Sequence, residues 1–192
     1  MTDWQQHNIW KQAWWGSCQN TFEEQLKQDV YAGYMKLEQF AVPGHWYDMR
    51  QKTILDIGGG PCSLLLRCKN FKRGTVVDPC PYPIWVAYRY QIANVEYIVE
   101  PAESFIPDMM YDECWIYNCL QHVEDVDKIA NMARTSCKKL RIFEYIEVGV
   151  CPGHPNNLTE AWLDKAFNKK GLVIKLDGLA RGKCYYGVFN YE

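Results

Sequence analysis

From residue 53 onward, short apolar segments of the chain alternate with longer amphipathic segments. The short segments are rich in β-branched and aromatic residues, as buried strands are, and the longer ones have helical periodicity. Strands are predicted at Thr53–Ile57, Thr75–Asp78, Val95–Val99, Glu113–Asn118, Leu140–Ile146, Leu172–Leu176 and Cys184–Tyr191. Helices are predicted at Cys62–Cys68, Ile84–Ala93, Val126–Ser136 and Thr159–Asn168. This alternation predicts a doubly wound α/β domain with a mostly parallel seven-stranded sheet and helices on both faces.

The last two predicted strands differ from the others in their connection. Only the segment "DGLARGK" separates them, which leaves no room for a crossover helix. We therefore predict that they pair antiparallel at one edge of the sheet, with the seventh strand antiparallel.

The residues before the alternating region are predicted to form a helical cap. Apolar side chains recur there at helical spacing, at Phe22, Leu26, Val30, Tyr34 and Leu37. Pro43-Gly44 is a turn signal that would end this helical region. The predicted division is a cap of residues 1–45 and a main domain of residues 46–192.

Composition excludes several classes of protein. A formal net charge of −2 gives no general electrostatic reason to expect binding to nucleic acid or to an anionic membrane. The nine cysteines are odd in number and none has CxxC spacing, so we expect reduced thiols and neither a disulfide framework nor a zinc site. The N-terminus lacks a signal-peptide pattern, and no apolar run reaches the ~18 residues of a membrane span. We expect a soluble, cytoplasmic protein.

The first predicted strand ends in the loop Gly58-Gly59-Gly60, where a sheet of this kind would bind a ligand. A phosphate-binding P-loop would need Gly-Lys-Ser/Thr, which is absent. A dinucleotide fingerprint would need a third glycine where this chain has Ser63. The pattern that remains is Asp-x-Gly-x-Gly. Its acid, Asp56, suits a ligand that carries an ammonium or a sulfonium group.

The stretch "ILDIGGGPCSLLL" resembles the first motif of the class I S-adenosylmethionine-dependent methyltransferases. Three later segments resemble further motifs of that family in the same order: "GTVVDPCPY", "VEPAESFIPD" and "YDECWIYNCLQHVEDVDKI". The resemblance implies a Rossmann-like fold, S-adenosylmethionine as cofactor and in-line transfer of its methyl group.

The resemblance also implies which residues hold the cofactor. Asp56 and the three glycines, Gly58, Gly59 and Gly60, would bind the methionine part, which Asn118 would face. Asp78, with Pro79 beside it, would accept hydrogen bonds from the ribose hydroxyls. Ala102 and Glu103 would meet the adenine, although the family often has Gly-Asp-Ala at that place.

The methyl acceptor is not encoded in any motif of this kind. His122, just after the fourth strand, and Glu144, near the end of the fifth, are the candidate catalytic residues; His122 would act as a general base or would position the acceptor. Tyr145 and His154 are the candidate substrate-binding residues. His154 also lies in a Gly-His-Pro turn, so a purely structural role is open.

The cap offers a second candidate wall for the acceptor. Trp10, Trp14 and Trp15 would either form an apolar lid over the site or cover a sheet face or a dimer surface. Because the cap is small and has no basic stripe, we expect a small or medium-sized acceptor rather than a nucleic acid. "DPCPY" is similar to the Asp-Pro-Pro-Tyr signature of enzymes that methylate amino groups of DNA, but it follows the second strand and not the fourth.

Two other functions compete with methyl transfer. One is an NAD-dependent oxidoreductase, which would use the same fold. The other is a protein that binds S-adenosylmethionine or S-adenosylhomocysteine without transferring a methyl group. The sequence leaves the oligomeric state open.

Overall fold

The computed structural model describes residues 3–39 and 46–191. The predicted break at Pro43-Gly44 and the boundary between residues 45 and 46 fall on or beside the segment 40–45, which lies outside the described residues. None of the described helices has the length and apolar composition that a bilayer crossing requires.

Seven strands form one sheet, as predicted. They are β1 (Thr53–Ile57), β2 (Arg73–Val77), β3 (Val95–Ile98), β4 (Glu113–Tyr117), β5 (Lys139–Tyr145), β6 (Leu172–Leu176) and β7 (Gly182–Asn190). Their order in the sheet is β3-β2-β1-β4-β5-β7-β6. The first five strands are parallel, and β7 runs antiparallel to both β5 and β6. The predicted antiparallel pair at one edge is confirmed. A separate two-stranded pairing joins Tyr47–Asp48 to Cys68–Lys69.

Helices cover both faces of the sheet. They are α1 (Asp3–Trp15), α2 (Thr21–Tyr34), α3 (Ile84–Ile92), α4 (Val126–Ser136) and α5 (Glu160–Phe167). The strands alternate in the side to which they point apolar residues, so two buried clusters form, one on each face. Side chains from α2 and α3 contribute to one cluster, and side chains from α4 and α5 to the other. The strand order reverses beside β1, which is where such folds bind ligands.

The predicted helix at Cys62–Cys68 is wrong. The crossover after β1 consists of two 3-10 helices, Gly60–Cys62 and Leu64–Arg67. Ser63, with φ −45° and ψ 145°, is not helical and separates the two segments. Neighbouring side-chain hydroxyls hold the backbone there: Ser63 N donates to the Tyr90 hydroxyl at 3.1 Å, and Leu64 N to the Tyr117 hydroxyl at 2.9 Å. The loop is therefore held by hydrogen bonds to neighbouring elements.

Only part of the apolar stripe of α2 is buried. Phe22 and Leu26 are 67% and 38% exposed, whereas Glu24 and Gln28 are only 8% and 4% exposed. The helix is rotated so that polar side chains, together with Tyr31, face inward. Burying polar groups is costly unless they have partners, so this orientation indicates a role other than core packing.

Candidate active site

A cavity of about 420 Å³ lies at the carboxyl ends of β1, β2, β4 and β5. Residues that follow these strands form one wall, and side chains of α1 and α2 form the other. Ligand sites in proteins commonly have this size and this position in a doubly wound sheet. A small cleft of about 20 Å³ adjoins it beside the end of β2.

The glycine loop forms the floor of the cavity. Gly58 and Gly60 have φ angles of +71° and +64°, which favour glycine. A Cβ atom at Gly58 would lie 2.2 Å from the Sγ atom of Cys119, so no larger residue fits there. At Gly60 a Cβ atom would project toward Trp15 and Tyr82 on the cavity wall. The three glycines thus line the cavity with main chain, as predicted.

Asp56 lies beneath this loop and not on the cavity wall. Its carboxylate is fully buried and accepts hydrogen bonds from the hydroxyls of Ser63 and Tyr117, the latter at 2.6 Å. Burial raises the pKa of Asp56 to about 7, although both hydrogen bonds act to lower it. These contacts hold the loop from below. Asp56 therefore supports the predicted methionine site through the loop and is not itself exposed to the cavity.

Asp78 follows β2 and lies between the cavity and the small cleft. Its Oδ2 atom accepts a hydrogen bond from Gly60 N at 3.1 Å, and Oδ1 accepts one from Cys80 N at 2.9 Å. The remaining lone pairs of this buried carboxylate can accept from a diol. Pro79, Ala102 and Glu103 line the small cleft, together with the turn after β4. The structure thus brings the predicted ribose and adenine residues together.

Asn118 and His122 line the cavity just beyond β4. Asn118 has a φ of +49° and accepts a hydrogen bond from the side chain of Gln121 at 2.9 Å. The Nδ1 atom of His122 contacts the carbonyl oxygen of Gly153. Because a carbonyl can only accept, Nδ1 carries the proton, and Nε2 is the basic nitrogen of the neutral ring. Nε2 lies 3.3 Å from Nε2 of Gln121, whose amide donates a hydrogen bond to it.

His154 is brought to the same wall. Its ring centroid lies 4.7 Å from that of His122, and its Nδ1 atom lies 3.4 Å from the thiol of Cys151. Both histidines line the cavity, as does Tyr145 at the end of β5. Three of the four predicted catalytic and substrate-binding residues therefore meet in one place.

The fourth, Glu144, points away from the cavity. It is fully buried, and its carboxylate accepts hydrogen bonds from Cys119 N at 2.9 Å and from Leu120 N at 3.1 Å. Burial raises the pKa of Glu144 to about 8, against the opposing effect of these hydrogen bonds. The carboxyl group anchors the turn that carries His122.

The inner face of α2 contributes a group of residues that the sequence analysis missed. We call Glu24, Lys27, Gln28 and Tyr31 the α2 ridge; all four line the cavity. Glu24 and Lys27 form an ion pair of 2.6 Å, and the Tyr31 and Tyr145 hydroxyls lie 3.2 Å apart. The signal in the sequence is a polar face at positions 24, 28 and 31, spaced as one side of a helix.

Helix α1 also contributes to this wall of the cavity. Trp10, Trp14 and Trp15 line the cavity, and the ring of Trp10 packs on the backbone of Gly153. A Cβ atom at Gly153 would lie 2.4 Å from that ring. Of the two alternatives that the sequence left open, these contacts favour the lid.

Comparisons with known proteins agree with this geometry. A family model described as "Methyltransferase domain" matches residues 55–140. Residues 55–140, a little under half of the chain, therefore match a methyltransferase domain, in agreement with the resemblance to the class I S-adenosylmethionine-dependent methyltransferases. S-adenosylmethionine is the cofactor that a domain of this kind implies. The sequence has no significant match among curated proteins.

Several solved structures share the fold. The DhpI–SAH complex is 14% identical, covers 98% of this chain and 95% of its own, and has a TM-score of 0.62. The N-methyltransferase NodS from Bradyrhizobium japonicum WM9 is 14% identical, with 91% and 98% coverage and a TM-score of 0.58. An O-methyltransferase family protein from Burkholderia thailandensis is 15% identical, with 86% and 57% coverage and a TM-score of 0.58. At these identities the likeness is one of fold.

The residues present fit this cofactor. The glycine loop leaves main chain uncovered where a side chain would otherwise enter the cavity, and Asp78 offers carboxylate lone pairs at the boundary of the two hollows. Within residues 3–39 and 46–191, no group of three or more histidine, cysteine or acidic side chains could hold a metal ion.

Proposed function

We propose that this protein transfers a methyl group from S-adenosylmethionine to a small or medium-sized acceptor by in-line displacement. The observation that carries the proposal is a single cavity lined by two chemically distinct sets of residues. The glycine loop and Asp78 form one set, which we call the cofactor end. His122, Tyr145 and His154 form the other set, which we call the acceptor end, and His122 also lines the small cleft beside Asp78. When bound, the cofactor supplies an electrophilic methyl group on a sulfonium.

Each end has a separate task in this proposal. At the cofactor end, Asp78 accepts hydrogen bonds from the ribose, the glycine loop and Asn118 enclose the methionine part, and Pro79, Ala102 and Glu103 enclose the adenine. Asp56 acts from beneath by fixing the loop through Ser63 and Tyr117. The shape of the loop is then preorganised before the ligand arrives, which lowers the cost of binding.

At the acceptor end, His122 is the proposed general base. Its Nε2 atom is basic because the Gly153 carbonyl holds the proton on Nδ1. Glu144 is a positioning residue in this proposal, since it holds the amides of the turn before His122 and has no surface on the cavity. Tyr145 and His154 contact the acceptor. Alignment of acceptor and methyl group supplies much of the rate, so the loss of the base should slow transfer and not abolish it.

The lining of the cavity also bears on the acceptor. Three tryptophans of α1 form part of its wall, and the chain carries a net charge of −2, so we propose a small-molecule acceptor and no nucleic-acid substrate. We also propose a cytoplasmic location.

Calorimetry with S-adenosylhomocysteine tests the cofactor end. The wild-type protein should bind it and should not bind NADH; the reverse pattern would reject the proposal in favour of an oxidoreductase. Asp78→Ala should weaken binding by roughly tenfold or more, because it removes hydrogen bonds to a charged group. Asp108→Ala is the matched control, because Asp108 is an exposed acid paired with Arg73 near the start of β2, away from the cavity.

The competing function, binding without transfer, predicts a different result at the acceptor end. It predicts normal S-adenosylhomocysteine affinity and no labelled product from tritiated S-adenosylmethionine with any metabolite pool. Labelled product that falls when His122→Ala is introduced, with unchanged cofactor affinity, would exclude it.

A further inference from the structure

We propose that the methyl acceptor is a neutral, polyhydroxylated molecule of the monosaccharide class, and that the α2 ridge binds it together with Tyr145. This inference rests on the proposed function and names the substrate class of the same site. It begins from the polar groups on the inner face of α2, which line the cavity.

The charges of the ridge argue against an ionic acceptor. Glu24 is 8% exposed and is neutralised by Lys27, so the ridge carries no net charge. Two other cations, Lys11 and Arg181, line the cavity without an ion pair in the described part of the chain; one is half-buried and the other is exposed. A charged acceptor held against the ridge would lose its hydration without an opposite net charge on the ridge to replace it.

The ridge argues equally against a wholly apolar acceptor. The Glu24–Lys27 pair, the amide of Gln28 and the hydroxyls of Tyr31 and Tyr145 would all be covered by such a ligand and lose their contacts with water. Desolvated polar groups without new partners cost free energy, so an apolar surface is a poor match.

Neutral hydroxyl groups fit these side chains because each one both donates and accepts. The Tyr31 and Tyr145 hydroxyls have the same property and face the cavity from two different elements. A ligand with several hydroxyls would exchange hydrogen bonds with these two hydroxyls.

The tryptophans of α1 add the second feature that a sugar ring requires. Trp10 and Trp14 line the cavity and are 41% and 46% exposed, and Trp14 meets Trp15 edge to face at 4.7 Å. A pyranose has C–H faces that pack on aromatic rings and a rim of hydroxyls that hydrogen-bond. The cavity offers an aromatic surface on α1 and a polar ridge on α2, which correspond to these two parts of the ring.

The transfer step balances with the residues already described. A hydroxyl oxygen of the sugar forms the new C–O bond while the methyl–sulfur bond breaks, and that electron pair stays on sulfur. The products are a methyl ether and S-adenosylhomocysteine, and the hydroxyl proton passes to Nε2 of His122.

Two measurements on the full chain test the inference. In the first, tritiated S-adenosylmethionine is offered with three sets of acceptors: neutral hexoses and 6-deoxyhexoses with their methyl glycosides, arylalkyl amines, and arylalkyl carboxylates. In the second, saturation-transfer NMR measures binding of the same compounds to protein saturated with S-adenosylhomocysteine. We expect label and saturation transfer with one or more sugars and with neither charged set.

Two pairs of variants connect the result to the ridge. Glu24→Gln and Tyr31→Phe should raise the KM for the sugar by roughly tenfold, the order of one lost hydrogen bond, with the Kd for S-adenosylhomocysteine within about twofold of wild type. The matched controls are Glu23→Gln, on the exposed side of α2, and Tyr34→Phe, which packs on Phe143 and Tyr186. Both controls should leave KM unchanged, and melting temperatures verify that all four variants fold.

Three outcomes would overturn the inference. The first is label in the amine or carboxylate set alone, and the second is no labelled sugar while S-adenosylhomocysteine still binds. The third is a tenfold weaker S-adenosylhomocysteine affinity in Glu24→Gln or Tyr31→Phe, which would assign the ridge to the cofactor. Failure of the wild-type protein to bind S-adenosylhomocysteine would instead reject the proposed function, so the two failures are distinguishable.

Discussion

Replacement of Gly58 by alanine tests the structural reason for the glycine at the end of β1. Its φ of +71° costs an L-residue about 1–2 kcal/mol. The new Cβ atom would lie 2.2 Å from Sγ and 2.9 Å from Cβ of Cys119, and overpacking of this kind costs about 1–3 kcal/mol. Together the two terms predict that Gly58→Ala lowers the free energy of unfolding by about 2–5 kcal/mol.

Gly149 provides the matched control. It has a φ of +79°, and an added Cβ atom would meet nothing within 4 Å. Gly149→Ala should therefore carry the backbone cost alone, about 1–2 kcal/mol.

Urea unfolding followed by tryptophan fluorescence measures both variants. In a chain of this size each kcal/mol lowers the melting temperature by about 2–4 °C. If Gly58→Ala is no less stable than Gly149→Ala, the close approach of the loop to Cys119 is refuted. A Gly58→Ala/Cys119→Ala double variant should recover part of the loss, because the nearest atom is removed.

Three further predictions concern groups around the cavity. Tyr117→Phe leaves the Asp56 carboxylate without one hydrogen-bond donor and should lower the free energy of unfolding, measured in urea, by about 1–3 kcal/mol. A change below about 0.5 kcal/mol would contradict the role of this hydroxyl in the loop. Burial raises the pKa of Glu144 to about 8, above its unfolded value of about 4.3, so its contribution to stability is lost as the pH rises through that interval. Glu144→Gln should therefore make the decline in the free energy of unfolding between pH 6 and pH 8 shallower, by up to about 1.4 kcal/mol per pH unit. An unchanged slope would contradict this assignment. Gly153→Ala should push Trp10 off the loop, increase acrylamide quenching of tryptophan fluorescence and weaken S-adenosylhomocysteine binding, whereas unchanged quenching would show that α1 is not held there.

The strand positions could be predicted because a buried strand is defined by its own residues. Thr53–Ile57 and Leu172–Leu176 have the predicted bounds, and α4 at Val126–Ser136 does too. In each case the apolar pattern and the local propensity agree, and Asp125 caps α4 by accepting a hydrogen bond from Lys128 N.

The segment after the glycine loop could not be predicted in this way. Its "PCSLLLRC" pattern is compatible with a helix, but the hydroxyls of Tyr90 and Tyr117 accept hydrogen bonds from Ser63 N and Leu64 N, and Ser63 is not helical. Those tyrosines are 27 and 53 positions away in sequence from the groups they bind, so no local pattern contains the information. Tertiary contacts decide the local structure there.

The same distinction between local pattern and tertiary packing applies to the candidate site. Asp78, Asn118 and His122 follow strand ends, and parallel topology alone brings such residues to one edge of the sheet. The meeting of His122 with His154 and the inward rotation of Glu24 depend on how the loop and α2 pack, which the sequence pattern does not contain. For α2 the apolar stripe is only partly buried: Val30 and Tyr34 pack on the core, whereas Phe22 and Leu26 are exposed.

The orientation of α2 links fold and chemistry in this protein. A helix that kept Phe22 and Leu26 inward would bury more apolar surface, at about 25 cal/mol per Å². The observed rotation exposes these two side chains and buries Glu24 and Gln28 instead. The ion pair of Glu24 with Lys27 and the hydrogen bond from Gln28 to the carbonyl of Cys62, at 2.7 Å, offset part of that cost. Such local conflicts between pattern and packing are expected at functional sites, because a polar wall that stabilises a bound ligand destabilises the empty fold. The conflict makes a further prediction: Gln28→Leu should stabilise the isolated protein, or leave its stability unchanged, and should weaken binding of whatever the cavity accepts. A clear loss of stability in Gln28→Leu would mean that the amide serves the fold, through Cys62, and not a ligand.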